Sequence, residues 1–480
     1  MTKAVLASRR FAMAEQRAFA AMSGDYNPMH LDVAAARRTQ AGDVVVHGVH
    51  ALLWALEVLA AGELAARPIA SLRAQFHKFI YLDRPVDLRL VERTAASVTA
   101  ELVVEGLAVT TLTVAIGPSE PPAPLPSLER ADTILGTTPL ESSIEAMNGA
   151  TGWLTLPDGA DAATSLFPTL CVLLEDRRVI ALAQTSTLVG MACPGLHSIF
   201  SSLSAIVTQT TAARPGLGWS ARLPDPRYKR VELTAAGAGL RADIRALVRP
   251  PPVDTPSVAT LASQVQAGEF TGRRALVIGG SRGLGAASAK LLAAGGADVV
   301  LTYASAEAEA EAVVADIRAV RGAESATKLR CDVSEPFDTA VCGHLAWATH
   351  VYYFATPRIT RQSAGVFNPE IFADFTKTFV ERFNALCVLA ANIAGDRDLN
   401  VLVPSSEAIT ARPKGMTEYA MSKAAAELLC ADLRRAYPRM AISTPRLPRV
   451  LTDQTAVAIP VRALDAAAAM LPLLRDERPA

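Results

Sequence analysis

Ser23-Gly24-Asp25-Tyr26-Asn27-Pro28-Met29-His30-Leu31-Asp32 decides how the N-terminal part of this chain is read. A carboxylate and an imidazole stand five residues apart around a Gly and Asn-Pro turn. Proline fixes its own φ and pushes the residue before it out of the helical region, so Asn27-Pro28 bends the chain. Asp25 and His30 then lie on either side of one bend and can face a common point. A pair held that way can share acid and base duties on one water molecule or one C–H bond. The same string also suits a surface turn with a solvated histidine, because short motifs arise by chance.

The surroundings favour the first reading. After the turn come Val33-Ala34-Ala35-Ala36-Arg37-Arg38, then Val44-Val45-Val46-His47-Gly48-Val49-His50, then an apolar run to Ala61. This order resembles the MaoC-like, (R)-specific enoyl-thioester hydratase family of the hot-dog fold. Its Ser-Gly-Asp-x-Asn-Pro-x-His-x-Asp string is matched at Ser23, Gly24, Asp25, Asn27, Pro28, His30 and Asp32. The later Val-His-Gly segment is matched at Val46, His47 and Gly48. The resemblance implies that Asp25 and His30 are the catalytic pair and that the backbone N–H near Gly48 polarises a thioester carbonyl. His47, His50 and His77 read as structural, since nothing in the sequence pairs them with a nearby carboxylate.

The rest of the first unit, residues 1–118, fits one helix wrapped by a bent antiparallel sheet. Helices are expected over residues 11–21 and 49–64. Strands are expected over 69–80, 86–93, 97–105 and 107–116, which are β-branched-rich runs separated by turn residues. Five prolines within residues 117–126 mark a stiff spacer. Residues 130–253 repeat the order of helix then strands over a similar length, without the Asp-x-Asn-Pro-x-His string. They read as a second, degenerate hot-dog unit, with a helix start over 166–174 and strands over 179–189, 231–233 and 240–248. Cys193 and His197 flank a Pro-Gly turn but have no recognisable base or orienter, and so read as structural. Arg249-Pro-Pro-Pro-Val253 closes this unit as another spacer.

From residue 270 to 480 the pattern changes. Residues 274–278 form an apolar strand that runs into Gly279-Gly280-Ser281-Arg282-Gly283-Leu284-Gly285, then an alanine-rich helix, then a strand over 298–303. Strand, glycine turn, helix and strand within about 30 residues make a βαβ unit. The glycines let the backbone approach a pyrophosphate, and the helix N-terminus offers free N–H groups. The spacing resembles the short-chain dehydrogenase/reductase family. An NAD-preferring site would place an acid at the end of the second strand; Thr302-Tyr303-Ala304-Ser305 supplies none, and Arg282 can face a 2′-phosphate. NADPH/NADP+ is therefore the expected cofactor, held by Gly279, Ser281, Arg282, Gly283, Leu284, Gly285 and Ser305. Asp332 matches the family's adenine-contacting aspartate, next to Val333 at the close of the third strand.

Tyr419-Ala-Met-Ser-Lys423 sets two side chains one turn apart on a helix face. The lysine's charge is expected to lower the phenol's pKa, so that Tyr419 exchanges a proton near neutral pH. Ser406, thirteen residues earlier, would hydrogen-bond a substrate carbonyl, with Ser405 as the alternative in a shifted register. Asn384 matches the family's helix asparagine. Where the family has Asn-Asn-Ala-Gly, this chain has Tyr353-Phe354-Ala355-Thr356-Pro357, so Ala355 lines a differently built cofactor wall.

The fold expected is an α+β double hot-dog N-terminal half followed by an α/β Rossmann domain with a doubly wound parallel sheet. Lys plus Arg equals Asp plus Glu at 47 each, so no broad field draws nucleic acid or an anionic membrane. The six cysteines show neither C-x-x-C nor metal-ligand spacing and read as reduced thiols of a cytoplasmic protein with no metal. No apolar stretch reaches the length of a membrane span. Together the two modules suggest a ketoreductase feeding a dehydratase, acting on an acyl thioester carried by acyl carrier protein or coenzyme A. Three alternatives stand beside it: hydration followed by oxidation in a degradative enzyme, a single activity with one module as scaffold, and a non-enzymatic acyl-carrier-binding module. The reductase resemblance implies a homo-oligomer, dimer or tetramer.

Overall fold

The computed structural model describes residues 4–121, 132–133, 135–209, 215–223, 226–361, 365–457 and 461–476. Two compact units emerge, Met1–Pro251 and Pro252–Ala456, the second completed by the segment from Val461. The second half of the expected proline spacer at 117–126 lies outside the described residues.

The first unit is built on one ten-stranded antiparallel sheet. Its strands are β1 (Val5–Arg9), β2 (Ile69–Phe76), β3 (Val86–Arg93), β4 (Ser97–Val104), β5 (Leu107–Ile116), β6 (Thr151–Thr155), β7 (Ser198–Val207), β8 (Gly216–Arg222), β9 (Arg230–Gly237) and β10 (Leu240–Val248). Their order across the sheet is β1-β3-β4-β5-β2-β7-β10-β9-β8-β6. The second half mirrors the first about the β2–β7 pair, where Leu72 faces Ala205 and Ala74 faces Leu203. Each half also lays one buried helix against the sheet. In the first half it is Gly48–Ala61, apolar on every side, as a helix enclosed by sheet must be.

In the second half the buried helix is Asp176–Thr187, whose end widens into a π turn at Leu188–Ala192. The strand expected over 179–189 is therefore a helix. A continuous apolar run is ambiguous between a buried strand and a buried helix, and here enclosure by the sheet decided it. Glu57 ties the two halves together: its carboxylate accepts from the N–H groups of Thr169 and Leu170 (2.9 and 2.7 Å) at the start of the helix Pro168–Leu174.

The second unit holds a six-stranded parallel sheet with an apolar core on each face. Its strands are β11 (Arg274–Ile278), β12 (Asp298–Tyr303), β13 (Ala326–Arg330), β14 (His350–Tyr353), β15 (Leu399–Leu402) and, after the short β16 (Ser405–Ser406), β17 (Met440–Ser443). The short β18 (Arg446–Leu447) pairs with β16. The order β13-β12-β11-β14-β15-β17 reverses direction at β11, which puts the turn after β11 at the switch point where such sheets bind ligands. The third strand ends at Arg330, so Cys331-Asp332-Val333 lie in the loop beyond it. Among the described residues no helix is long and apolar enough to cross a membrane.

Candidate active sites

In the first unit the helix Met13–Ser23 ends at Gly24, whose left-handed backbone (φ 85°) suits glycine and turns the chain toward Asp25. Asn27 caps the following short turn by accepting from Met29 N–H (3.1 Å). Its amide donates to Gly190 O (2.8 Å), which ties the bend to the second half. Asp32 caps the next helix through Ala34 and Ala35 N–H, a structural role.

Asp25 is 1 % exposed. Its carboxylate accepts from Asn27 N–H (3.1 Å) and from the Ser186 hydroxyl (2.6 Å). Burial pushes its pKa up, against the opposing pull of His30, Ser186 and Asn27. Burial likewise pushes His30 down, against the pull of Asp25 and Val45. The His30 Nδ1 bonds Val45 O (2.8 Å), which fixes the proton on Nδ1 and leaves Nε2 as a lone pair. A carboxyl biased toward its acid form thus stands beside an imidazole biased toward its base form.

His47 is closer to this pair than the sequence suggested. Its Nε2 lies 3.9 Å from Asp25 Oδ2 and 3.1 Å from Asp25 O, and its ring stacks on His30 at 3.9 Å between centroids. The expectation that nothing pairs it with a carboxylate fails, because the fold folds the Val-His-Gly segment back over the bend. Ligand atoms of Asp25, His30 and His47 lie within 4.8 Å of one another. Both ring nitrogens of His47 are already engaged, Nδ1 with Gln16 Oε1 (2.8 Å) and Nε2 with Asp25 O, so the donor set suits proton handling better than a metal ion. His50 is held by Gln16 Nε2 (3.0 Å) and stacks on Phe19, and burial takes it down to about 3.

Gly48 opens the central helix, part-exposed between the fully buried His47 and Val49. A Cβ there would meet the Phe76 ring at 3.1 Å, so glycine keeps this helix N-terminus open. Gly190 does the equivalent from the other half: a Cβ on it would fall 2.5 Å from Asp25 Oδ1. The Thr187 hydroxyl donates to Ser23 O (2.6 Å). Sequence reasoning missed Gln16, Ser186, Thr187 and Gly190, whose partners lie far away along the chain.

In the second unit, Thr302 anchors the glycine turn. Its hydroxyl accepts from Gly279 N–H (3.0 Å) and its carbonyl from Gly280 N–H (2.9 Å). Gly279 sits at φ 79°, and a Cβ on it would come within 2.9 Å of Ala355 N. A Cβ on Gly285 would overlap the Gly279 carbonyl. Ser281, Gly283 and Leu284 follow this tight backbone into the helix Gly283–Ala294, with Arg282 as its N-cap. Ser305 and Asp332 are exposed. The Asp332 carboxyl accepts from Ser334 N–H (2.9 Å), which holds it below the usual carboxylate range. Val333 O accepts from Arg382 Nε (2.6 Å).

Tyr419 and Lys423 share one face of the helix Thr417–Ala436. The Ser406 hydroxyl hydrogen-bonds the phenol. Ser405 instead donates to Glu427 (2.5 Å), which leaves Ser406 as the residue beside the tyrosine. Burial raises the Tyr419 pKa, contrary to the lowering expected from Lys423. The lysine donates to Pro404 O (2.8 Å) and sits 3.9 Å over the Phe379 ring; burial takes it down to about 8. Its charge is spent on a carbonyl and an aromatic face, so it does not lower the phenol. Phe379, on the π turn Lys377–Arg382, is the residue that meets Lys423 from this part of the chain. Asn384 lies just beyond that turn, half-buried on the helix Phe383–Ala394. The Tyr353 hydroxyl donates to Thr378 O (2.9 Å), so the residue at the family's asparagine position fastens the π turn.

Residues 3–112 match the family model for a MaoC like domain, and residues 273–346 match that for a short chain dehydrogenase. The second match ends before Ser406, Tyr419 and Lys423, which rest on their own geometry. An uncharacterized oxidoreductase of Methylorubrum extorquens is 35% identical over 134 residues, 27% of this chain and 52% of that protein. The L-rhamnose 1-dehydrogenase (NADP(+)) of Thermoplasma acidophilum is 33% identical over 115 residues, 24% of this chain and 42% of that protein. The chain thus spans about half the length of the curated relatives it matches. Among solved structures, a short chain dehydrogenase from Burkholderia cenocepacia in complex with NADP is 27% identical, covering 43% of this chain and 90% of that one, with a TM-score of 0.36. A 3-oxoacyl (acyl-carrier-protein) reductase from Agrobacterium tumefaciens with NADP bound is 25% identical, covering 38% and 73%, with a TM-score of 0.35. The chain carries a MaoC-like dehydratase domain at its N-terminus and a short-chain dehydrogenase domain further along.

Proposed function

We propose that this chain reduces a 3-oxoacyl thioester with NADPH and dehydrates the resulting 3-hydroxyacyl thioester to the trans-2-enoyl product. The observation that carries the reading is the opposite bias of two neighbouring groups with ligand atoms within 4.8 Å: a buried Asp25 held toward its acid form and a half-buried His30 held toward its base form. His30 Nε2 takes the α-proton, and the C–H electron pair moves toward the thioester carbonyl. Asp25 gives its proton to the departing hydroxyl, water leaves, and the Cα–Cβ double bond forms. The Gly48 N–H, at the positive end of the central helix, would receive charge on the thioester oxygen. Residues 130–253 read as a degenerate second hot-dog; the mirrored strand order and the Ser186, Thr187 and Gly190 supports favour this.

In the second unit, the turn Gly279–Gly285 suits a pyrophosphate: a Cβ at Gly279 would strike the Ala355 backbone and one at Gly285 the Gly279 carbonyl, so glycine keeps this tight turn against the N-terminus of the helix Gly283–Ala294. Arg282, with no acid at the end of β12, favours a 2′-phosphate and thus NADPH, which supplies hydride when bound. Ser406 would orient the substrate carbonyl and Tyr419 protonate its oxygen, while Lys423 holds the ribose side. A scaffold role for this unit is the second reading, favoured by the raised Tyr419 pKa and by Tyr353–Pro357 in place of the family's motif. Incubation with a 3-oxoacyl thioester and NADPH separates the two. Hydroxyacyl and enoyl products are expected together; no NADPH oxidation would leave only the scaffold reading.

A further inference from the structure

Arg249 follows β10 directly and heads the stretch expected to be only a spacer, yet it is 4 % exposed. Its backbone N–H donates to His197 O (2.7 Å) and its Nη2 to Leu196 O (2.8 Å). The same Leu196 carbonyl accepts from Asn27 Nδ2 (3.4 Å). The guanidinium therefore stands one carbonyl away from the bend that carries Asp25 and His30. Its charge reaches His30 and disfavours protonation of that ring. Burial has lowered Arg249 itself to about 10.

Nε and Nη1 are buried with no hydrogen-bond partner, and among the described residues no carboxylate pairs with the group. A guanidinium stripped of water and given no counter-ion and a single carbonyl acceptor is a costly thing for a fold to keep. Residues of this kind are retained where a ligand completes them. Next to a base that removes an α-proton, the group in want of a donor is the oxygen that becomes negative. Resting on the dehydration reading above, we propose that Arg249 is a substrate-binding residue of the Asp25–His30 site, donating its free N–H groups to the thioester oxygen that turns anionic as the α-proton leaves. Arg249 then acts from the second half of the unit, and Gly48 from the first. Its charge also keeps His30 neutral and ready to accept a proton.

Arg249→Met and Arg249→Lys in the full chain, beside Asp25→Asn, test this in the hydration of crotonyl-coenzyme A. Arg249→Met is expected to lower kcat by about 10²–10³-fold with a smaller change in KM. It should move the acid limb of the rate profile to higher pH, because His30 then protonates more readily. Arg249→Lys should recover part of the rate. Thermal melting of Arg249→Met should not fall, since an apolar side chain replaces an unpaired buried charge. An unchanged kcat and acid limb would overturn the proposal. So would a loss confined to the KM of a fumaryl thioester, which would assign Arg249 to an acyl-chain carboxylate. If the unaltered chain shows no hydration, the dehydration reading fails on its own. Titration of crotonyl-coenzyme A into the Asp25→Asn protein, with and without Arg249→Met, then decides Arg249: equal affinities sink it.

Discussion

The two candidate centres are assembled in different ways. At the Asp25–His30 bend the proposed reacting groups come from six consecutive residues, but part of their support is remote: Ser186, which bonds the Asp25 carboxylate, stands 161 positions away, and Thr187, which holds Ser23 O, stands 164 away. At Tyr419–Lys423 the proposed reacting groups share one helix, and their immediate contacts, Ser406, Pro404 and Phe379, lie within 44 positions. The first centre is thus a local motif with remote support, and the second a local motif with near support. A motif alone points to the proposed reacting groups of both, while their pKa values depend on what the fold brings against them.

That contrast can be broken from the remote side. Gly190→Ala puts a Cβ 2.5 Å from Asp25 Oδ1 and must displace the carboxylate. Misplacement of a reacting group by about 1 Å costs on the order of 10²-fold. Dehydration should fall by that amount while NADPH oxidation is unchanged, as paired assays on the two thioesters would read. Equal losses in both assays would mean that the substitution damages more than the bend.

A smaller effect sharpens the same point. Ser186→Ala removes a hydroxyl that lowers Asp25. The Asp25 pKa should rise further, so the limb on which dehydration is lost with rising pH should move up by about one unit. The rate on the plateau should change by less than tenfold. A pH–rate profile distinguishes this from simple damage, which lowers the plateau and leaves the limb in place.

Smallest in its effect on rate is the outcome at His50, which touches stability instead. Its folded pKa of about 3 lies below its unfolded value near 6.5. The unfolded chain therefore binds more protons between those values, and stability present above pH 6.5 is lost as pH falls. His50 alone should cost the first unit ~2 kcal/mol between pH 7 and pH 5. Melting curves of the His50→Gln protein should show a flatter dependence over that range.

Much of both centres was legible in the sequence because their signals are short-range. Asn27-Pro28 has to bend, Gly279 needs its positive φ, and Tyr419 and Lys423 meet because a helix repeats every 3.6 residues. What escaped was of another kind. Residues 179–189 are apolar enough for strand or helix, and only enclosure by the sheet makes them helical and turns Ser186 toward Asp25. His47 meets the Asp25 carboxylate, 22 residues earlier in the chain, only when its segment folds over the bend. Arg249 precedes three prolines and looked like part of a spacer, yet the end of β10 buries it. The phenol of Tyr419 was expected to be lowered by Lys423, but Phe379 and the Pro404 carbonyl take up the ammonium instead.

Product analysis with Asp25→Asn and Tyr419→Phe tests the central claim most directly. Given a 3-oxoacyl thioester and NADPH, the Asp25→Asn protein should accumulate the 3-hydroxyacyl thioester, one for each NADPH oxidised, with no enoyl product. The Tyr419→Phe protein should oxidise little NADPH yet still dehydrate added 3-hydroxyacyl thioester. Enoyl product from the Asp25→Asn protein, or undiminished NADPH oxidation by the Tyr419→Phe protein, would contradict the assignment of one proton-handling centre to each step.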